Sequence, residues 1–441
     1  MLLLNRVAKL AQGSAELAVG SAAATLESLQ GAVSIGDWVV VSIYLIILLV
    51  VTLYCNRAVG AKDAEHFFLG GRSMPWWAIG CSLFASNVGT DHLVGLAGTG
   101  ASSGLAVGLY EWNAAFILIV LGWCFVPRYL AYEIYTVPEY LERRFSKGFR
   151  NFFLTLSLAS AFFTKITVTL YAGAVVLVEV CGFNMWLSSV VLLVLTPMYT
   201  SFGGLAAVLY TEVLQVVVLL FGTCALLFYG LDEVGGWPGL EAKLPAGYFH
   251  LVRPLSDPDF PWLGCLLGMP INSIWYWCTD QVMVQRVLAT NRPAVAQRGC
   301  VLAAWLKILP MYLMVLPGMI AMALYPDEVS EDTDSAFAVL VVNLLPHGWK
   351  GVMIAAMLSS FMAALASCFN SCSTLFTMVV YRSHNPDADE AQMVFVGRMF
   401  TLVVAVVSLL WLPVIANNGD GLFLYIQNYR PSGVAPSRSC S

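Results

Sequence analysis

Ionisable side chains inside long apolar stretches are the first candidates for chemistry in this sequence. The seven are Asp91, His92, Glu111, Lys165, Glu212, Asp280 and Lys307. An unpaired charge at the centre of a bilayer costs about 2.5–3.5 kcal/mol on insertion scales, so each one needs a partner or a function. For Lys165 and Glu212, a structural ion pair or a side chain that reaches the interface is as good an interpretation as a binding role.

The chemistry that the other residues support is binding of a neutral, hydroxyl-rich ligand. They are joined by three neutral polar residues, Asn87, Ser273 and Gln427. A polyol needs donors and acceptors distributed around it, and Asn, Gln, Glu and Lys side chains supply both. Tyr276 and Trp277, in the run IWYWCTDQ, can stack on the apolar face of a sugar ring. An aromatic run in a membrane helix is more often packing or an interfacial belt, but this one follows an interrupted apolar span.

Other kinds of chemistry find no support in the sequence. It contains no nucleophile–base arrangement, no phosphate loop and no cluster of His, Cys and Asp with metal-ligand spacing. Of the eleven cysteines, all but Cys440 lie in or at the edge of apolar segments and none forms a C-x-x-C pair, which is typical of core residues. No basic run indicates nucleic acid, and no repeated filter-like loop indicates a channel. We therefore expect no enzyme and no cofactor.

The elements that must position these residues are membrane helices. The chain is 59% apolar and 11% charged, whereas a soluble protein carries about 25% charged residues. Apolar stretches of the length needed to cross a bilayer recur from residue 36 onward. The predicted spans are 36–56, 76–100, 105–127, 150–180, 184–201, 206–230, 262–285, 299–324, 349–380 and 393–416, and another begins near 421.

Two of these spans are interrupted by polar residues and helix breakers. Span 76–100 contains SNVGTDH in its middle, and span 262–285 has Gly268, Pro270 and Asn272 midway. Non-helical backbone at this depth is tolerated only where it faces a protein-lined cavity. Without the first span, the interrupted spans are numbers one and six of those that follow. This spacing predicts two inverted repeats of five helices around a central site.

Basic residues are distributed unequally between alternate loops. Thirteen Lys and Arg lie in loops 57–75, 127–150, 286–298 and 382–398, whereas the opposite side holds at most five. The positive-inside rule then places the N-terminus outside and the basic loops in the cytoplasm. We expect a multi-pass protein of the plasma membrane.

The two ends of the chain differ from the apolar core. Residues 1–34 read as an amphipathic segment, either an interfacial helix or an organelle-targeting leader, and residues 35–428 as the transporter core. That core would contain about ten complete membrane helices and the start of an eleventh. Residues 429–441, with two prolines and two arginines, are predicted to be a divergent, disordered tail. The last core helix would then be incomplete.

Long motifs resemble the sodium/solute symporter family, in particular its sodium/glucose cotransporter branch. They are SLFASNVGTDHLVGLAGTG, YEWNA, SFGGLAAVLYTEVLQ, WYWCTDQVMVQR, FNSCSTLFTM and LYIQ, spread from about residue 36 to 428. The resemblance implies an all-α fold with the inverted repeats of leucine-transporter-type carriers and an extra N-terminal helix. It also implies alternating access, in which sodium and then sugar bind from outside and the site reopens inward.

The resemblance also implies roles for individual residues. Residues that match the family's sugar contacts are Asn87, His92, Glu111, Lys307 and Gln427, with Ser273 where members carry Thr or Asn and Tyr276 at the gating tyrosine. Asp91 departs from the glycine of animal glucose carriers and resembles bacterial sugar members. It would accept a bond from a sugar hydroxyl or, as the alternative, carry a proton.

The sodium site of the family is only partly matched. Its backbone carbonyls correspond to Ala85, Val88 and Ser360, but Ala363 and Ala364 replace the two serines whose hydroxyls complete it. Ser360 lies about 6 Å earlier along the helix than Ala364. We therefore expect weaker sodium dependence than is typical, with transport facilitated or proton-linked.

These observations predict a carrier that moves a glucose-like hexose through a lipid bilayer, with sodium or a proton as a coupling partner. The alternatives are a carrier for inositol or another polyol, and a solute sensor that does not transport.

Overall fold

The computed structural model describes residues 33–58 and 63–416, and these form an all-α bundle. The helices are α1 (Ile35–Ala58), α2 (Ala64–Leu69), α3 (Trp76–Ala85), α4 (Ala97–Ser103), α5 (Leu109–Val120), α6 (Val126–Ala131), α7 (Val137–Arg144), α8 (Lys147–Ser160), α9 (Thr167–Cys181), α10 (Met185–Val234), α11 (Gly236–Lys243), α12 (Trp262–Ile274), α13 (Gln281–Val287), α14 (Pro293–Leu306), α15 (Leu316–Leu324), α16 (Pro326–Glu331), α17 (Ala336–Leu344), α18 (Trp349–Leu375), α19 (Arg382–His384) and α20 (Glu390–Ala416). The amphipathic N-terminal segment, the last core helix, the tail and Gln427 lie outside the described residues, apart from residues 33 and 34.

Several of these helices join end to end through wider π-helical turns, which lengthens them to membrane-spanning size. The π turns are Asp91–Leu96, Leu121–Phe125, Ala161–Ile166, Trp275–Thr279, Met311–Val315 and Phe376–Tyr381. Within the described residues, seven helices are long and apolar enough to cross a membrane, and three shorter apolar helices accompany them. The chain is a multi-pass membrane protein, as the composition predicts.

The predicted spans 184–201 and 206–230 form a single helical run, α10, with a sharp bend at Gly204. This glycine has φ 59° and ψ −159°, a conformation that side chains with a Cβ rarely adopt. A Cβ there would also lie 2.5 Å from the carbonyl oxygen of Phe67. The bend therefore separates two membrane helices and lets α2 approach the backbone closely.

The first interrupted span breaks where the sequence predicts. Helix α3 ends at Ala85. Residues 86–89 are not helical, and helical structure resumes at Thr90. Ser, Asn and Gly favour turns over helix interiors because they compete for backbone hydrogen bonds or lack a Cβ. The break therefore places Asn87 and the fully buried Val88 in non-helical backbone inside the bundle.

The second interrupted span breaks at a different place from the one predicted. The helix continues through Gly268, Pro270 and Asn272 to Thr279, and the break falls at Asp280 (φ −70°, ψ 131°). The physical reason is capping: one Asp280 carboxylate oxygen accepts from the backbone N–H of Val282 at 2.9 Å and starts α13. The predicted position of this break was wrong, but its presence in the sixth span was correct.

Helix α1 lies outside the two five-helix repeats and packs on α10 and α18. Helix α18 is almost wholly buried and forms the centre of the bundle. Among the basic residues counted as loop charges, Arg286 is 0% exposed and Arg72 is 8% exposed. Arg286 belongs to α13 and pairs with Glu212 inside the bundle, so counting it as a loop charge was wrong, whereas Arg72 lies in the connection between α2 and α3. The remaining basic residues still favour the same orientation.

Helix packing at Gly318 gives a test of this arrangement. A Cβ on Gly318, in α15, would overlap the carbonyl oxygen of Ala97 in α4, whereas a Cβ on the exposed Gly268 would meet nothing within 4 Å. We expect Gly318→Ala to destabilise the protein by about 1–3 kcal/mol through overpacking. Gly268→Ala should be neutral or raise stability, because alanine favours a helix more than glycine does.

Thermal unfolding of the two purified variants and the wild type in one detergent would measure the difference. Equal melting temperatures for Gly318→Ala and Gly268→Ala would contradict the close approach of α4 and α15.

Candidate functional site

The two helix breaks bring together residues that are far apart in the sequence. Asn87, in the first break, donates from Nδ2 to the hydroxyl of Tyr276 at 3.1 Å. The other amide atom, Oδ1, is buried without a hydrogen-bond partner in the described structure. A buried unpaired carbonyl oxygen is costly, so this atom is available to a ligand donor.

A compact group of three ionisable residues, Lys307, Glu111 and His92, lies beside the first break. Lys307 Nζ is 2.5 Å from Glu111 Oε2 and 3.2 Å from His92 Nε2. The same imidazole nitrogen is 3.2 Å from Glu111 Oε1. Lys307 is 0% exposed, and Glu111 and His92 are 7% exposed each. The opposite charges of Lys307 and Glu111 neutralise one another, so the group offers strong donors and acceptors around a compensated charge pair.

The lysine of this group also contacts aromatic rings. Its Nζ lies 5.5 Å from the ring centroid of Trp277 and 6.0 Å from that of Phe84. Trp277 stacks edge-on against Tyr276, with the ring centroids 5.3 Å apart. On the far side of the imidazole, Nδ1 of His92 is buried and has no partner among the described residues. Rings and unpaired polar atoms therefore lie together, which a sugar or polyol can use.

The helical hydrogen bonds are interrupted at Lys307. Helix α14 ends at Leu306, and residues 307–309 form a turn before helical structure resumes at Pro310. Proline has no backbone N–H to donate to the carbonyl four residues earlier, which interrupts the helical hydrogen bonds.

Ser273 has a partner that the sequence did not indicate. Asn113 donates from Nδ2 to the Ser273 hydroxyl at 2.7 Å. Asn113 lies two residues after Glu111, inside the motif YEWNA, so its position next to a predicted ligand was the available signal.

Asp91, another predicted ligand residue, is exposed at the start of its π turn.

The residues at the sodium position of the family come together around the first break. The hydroxyl of Ser360 donates to the carbonyl oxygen of Val88 at 2.8 Å. A Cβ on Gly89 would lie 3.2 Å from the methyl of Ala364. Ala85 and Ala363 are also buried. The Ser360 hydroxyl therefore reaches the break itself, which the spacing along α18 did not indicate.

Lys165 and Asp280 form an ion pair between a π turn and the second break. The Lys165 ammonium also lies 5.1 Å from the centroid of the Tyr276 ring. This pair fits the structural interpretation of Lys165 and places a cation behind the ring of the predicted gate.

Glu212 takes part in a second buried network, which fits the structural interpretation of this residue, although the sequence did not indicate its partners. Its carboxylate accepts from the hydroxyls of Ser82, Ser86 and Ser367, the last at 2.5 Å. Arg286, the missed partner, places Nη2 3.5 Å from Glu212 Oε1 and donates from Nε to Ser86 at 2.9 Å. The network joins α3, α10, α13 and α18 next to the first break.

Among solved structures, a Na+-coupled sialic acid symporter in a substrate-bound outward-open state has a similar fold. The TM-score is 0.79, and the match covers 88% of this chain and 83% of that one. At 22% sequence identity, this likeness shows the fold alone. The described core therefore has the predicted leucine-transporter-type fold with an extra N-terminal helix.

Relatives of known function are more similar in sequence. The mouse sodium/glucose cotransporter 4 is 43% identical over 426 residues, which is 89% of this chain and 62% of that protein. The rabbit sodium/myo-inositol cotransporter 2 is 42% identical over 428 residues, 89% of this chain and 63% of that protein. The rabbit sodium/glucose cotransporter 1 is 39% identical over 447 residues, 92% and 68% respectively. The chain thus spans a little under two thirds of the first two relatives.

The profile of the sodium:solute symporter family matches residues 67–437, which is most of the chain. The relatives are cotransporters and not enzymes, in agreement with the interpretation of the polar residues. The chain belongs to the sodium:solute symporter family.

Proposed function

We propose that this protein carries a sugar or polyol across a membrane by alternating access, with the binding site at the two helix breaks. The single observation that supports this most is the buried group of Lys307, Glu111 and His92 beside the ring of Trp277. A buried charge pair costs desolvation energy, and here it lies beside unpaired polar atoms and interrupted backbone.

The chemistry of the group suits a neutral ligand with several hydroxyls. Glu111 accepts hydrogen bonds, Lys307 donates them, and the unpaired Oδ1 of Asn87 and Nδ1 of His92 add further partners. A ligand hydroxyl can do both, so it can bridge such groups without adding charge. An anionic or cationic ligand would disturb the balance between Glu111 and Lys307.

The hydrogen bond between Asn87 and Tyr276 supports a gating role for the tyrosine. It joins the first break to the aromatic turn that precedes the second. When a ligand takes the bond from Asn87, the ring of Tyr276 is released and can move. The two breaks would then rearrange together during transport.

Relatives support two ligand classes equally well. The glucose and myo-inositol cotransporters are within a few per cent identity of one another in their match to this chain. Both ligands present a ring with many hydroxyls. Contacts with single hydroxyls would therefore distinguish one ligand from the other. We propose a hexose as the first candidate and myo-inositol as the second.

The driving ion is the part of the proposal in which this chain differs from its family. Ala363 and Ala364 offer methyl groups at positions where hydroxyls would coordinate sodium, and an alanine methyl coordinates nothing. The Ser360 hydroxyl occupies one lone pair of the Val88 carbonyl. We therefore propose a weak sodium dependence, with Asp91 accepting a ligand hydroxyl at the exposed start of its turn.

Removing Glu111 tests the ligand site. Glu111→Ala leaves Lys307 and any ligand hydroxyl without their acceptor. We expect the free energy of ligand binding to weaken by about 1–3 kcal/mol, or about tenfold to a hundredfold in apparent affinity. Saturable uptake of labelled hexoses and myo-inositol by the full chain measures this, normalised to protein at the membrane. Gln427→Ala should act in the same direction.

Glu142→Ala is the matched control, because Glu142 pairs with Arg150 at a partly exposed position away from the breaks. We expect wild-type affinity in this control. If Glu111→Ala and Gln427→Ala both keep wild-type affinity and rate, these residues are not ligands and the proposed site is wrong.

Ion replacement tests the driving force. Uptake in sodium and in choline medium, each at two pH values, should differ less than in the sodium/glucose relatives measured alongside. Ala363→Ser with Ala364→Ser restores two hydroxyls and should increase the sodium dependence. A steep, saturable sodium requirement of the unmodified protein that does not change with pH would contradict the proposal.

A further inference from the structure

The N-terminal end of α1 contains a carboxylate that is fully buried. Asp37 is 0% exposed, and Oδ2 accepts from the backbone N–H and the hydroxyl of Ser34 at 2.8 and 2.7 Å. Its other oxygen, Oδ1, accepts from the backbone N–H groups of Gly348 and Gly351 at 2.7 and 2.8 Å. The carboxylate therefore joins α1 to the start of α18, more than 300 residues away.

The start of α18 needs an acceptor that its own sequence does not supply. The residue before the helix is Gly348, which has no side chain and makes no capping bond. The first N–H groups of a helix have no partner within it, and a nearby side-chain oxygen usually accepts from them. Asp37 supplies this acceptor for the N–H groups of Gly348 and Gly351. Its negative charge also suits the positive end of the helix dipole.

The corresponding helix of the first repeat solves the same problem locally. Five membrane helices earlier, α8 is capped by its own Ser146, whose hydroxyl accepts from the N–H of Phe149 at 3.4 Å. Helix α18 instead takes its cap from α1, which lies outside both repeats.

Close packing holds the two helix ends in place. A Cβ on Gly351 would lie 2.6 Å from both the Cα and the carbonyl oxygen of Asp37. Beside Asp37, Trp38 stacks on Phe183 with ring centroids 5.4 Å apart. The end of α1 is thus fixed against two parts of the bundle at once.

The helix capped in this way carries the candidate ion position. Ser360 lies nine residues after Gly351, which is about 14 Å along α18, and Ala363 and Ala364 follow it. We propose that Asp37 is a positioning residue: through the start of α18 it sets the height and rotation at which Ser360 meets the first break. Helix α1 then acts as an external clamp on the central helix of the second repeat.

Hydrogen–deuterium exchange with mass spectrometry tests the clamp without any transport measurement. In Asp37→Ala, exchange of the first turn of α18 should rise about fivefold, as expected for a lost helix cap. Asp37→Asn keeps an oxygen acceptor and should retain most of the wild-type protection. The first turn of α8 should be unchanged in both variants.

Two further variants serve as controls for folding and location. Ser146→Ala should increase exchange at the start of α8 and leave α18 unchanged. Ser34→Ala removes a donor on the α1 side only and should leave α18 protected, which keeps the test decisive if Asp37→Ala does not fold. Wild-type exchange at α18 in Asp37→Ala, or equal exchange in the Asn and Ala variants, would overturn the capping role.

Positioning is separated from simple stabilisation by uptake, an arm that depends on the proposed function. Asp37→Ala should change the ligand or ion concentration for half-maximal uptake, and Asp37→Asn should restore it. If exchange at α18 rises while this concentration stays at the wild-type value, Asp37 caps the helix but does not position the site. Absence of uptake in the wild type would count against the proposed function and leave the exchange result intact.

Discussion

Charges buried in a membrane must be neutralised by close partners, and this requirement connects the two halves of the molecule. Three pairs meet it: Glu111 with Lys307 and Glu212 with Arg286, which are buried, and Lys165 with Asp280, which is partly buried. In each pair, one residue belongs to the first five-helix repeat and the other to the second. Because removing one partner of a buried pair typically costs about 3–5 kcal/mol, the repeats are held in register at three points.

This arrangement limits how the repeats can move. Each pair lies at or next to interrupted helix: Asp280 is in the second break, Arg286 follows it on α13, and Lys307 begins the turn after α14. Interrupted backbone can change its dihedral angles without breaking a long run of helical hydrogen bonds. A movement that keeps these pairs together preserves the neutralisation, whereas a sliding of one repeat past the other would separate all three.

The sequence predicts the helices and their repeat well, but not which polar residues pair. Hydropathy and the five-helix spacing depend on local composition, so most of the described helices and the first break lie where they were predicted. The second break was misplaced because Pro270 is tolerated inside α12, while the capping strength of Asp280 decides where α13 begins. Asn113 and Arg286 were missed because their partners, Ser273 and Glu212, are 160 and 74 residues away in sequence.

The carbonyl of Val88 shows how a side-chain hydrogen bond satisfies the interrupted backbone at a helix break. A non-helical turn leaves such oxygens without intrahelical donors, and inside a membrane each needs a hydrogen bond or a cation. In this chain the Ser360 hydroxyl donates to it, so the oxygen is satisfied before any ion arrives. An ion that binds here must share or displace that bond, and with Ala363 and Ala364 beside it gains no hydroxyl in return. The backbone of the break is thus hydrogen-bonded by Ser360 in the described structure, which agrees with the weak sodium dependence proposed above.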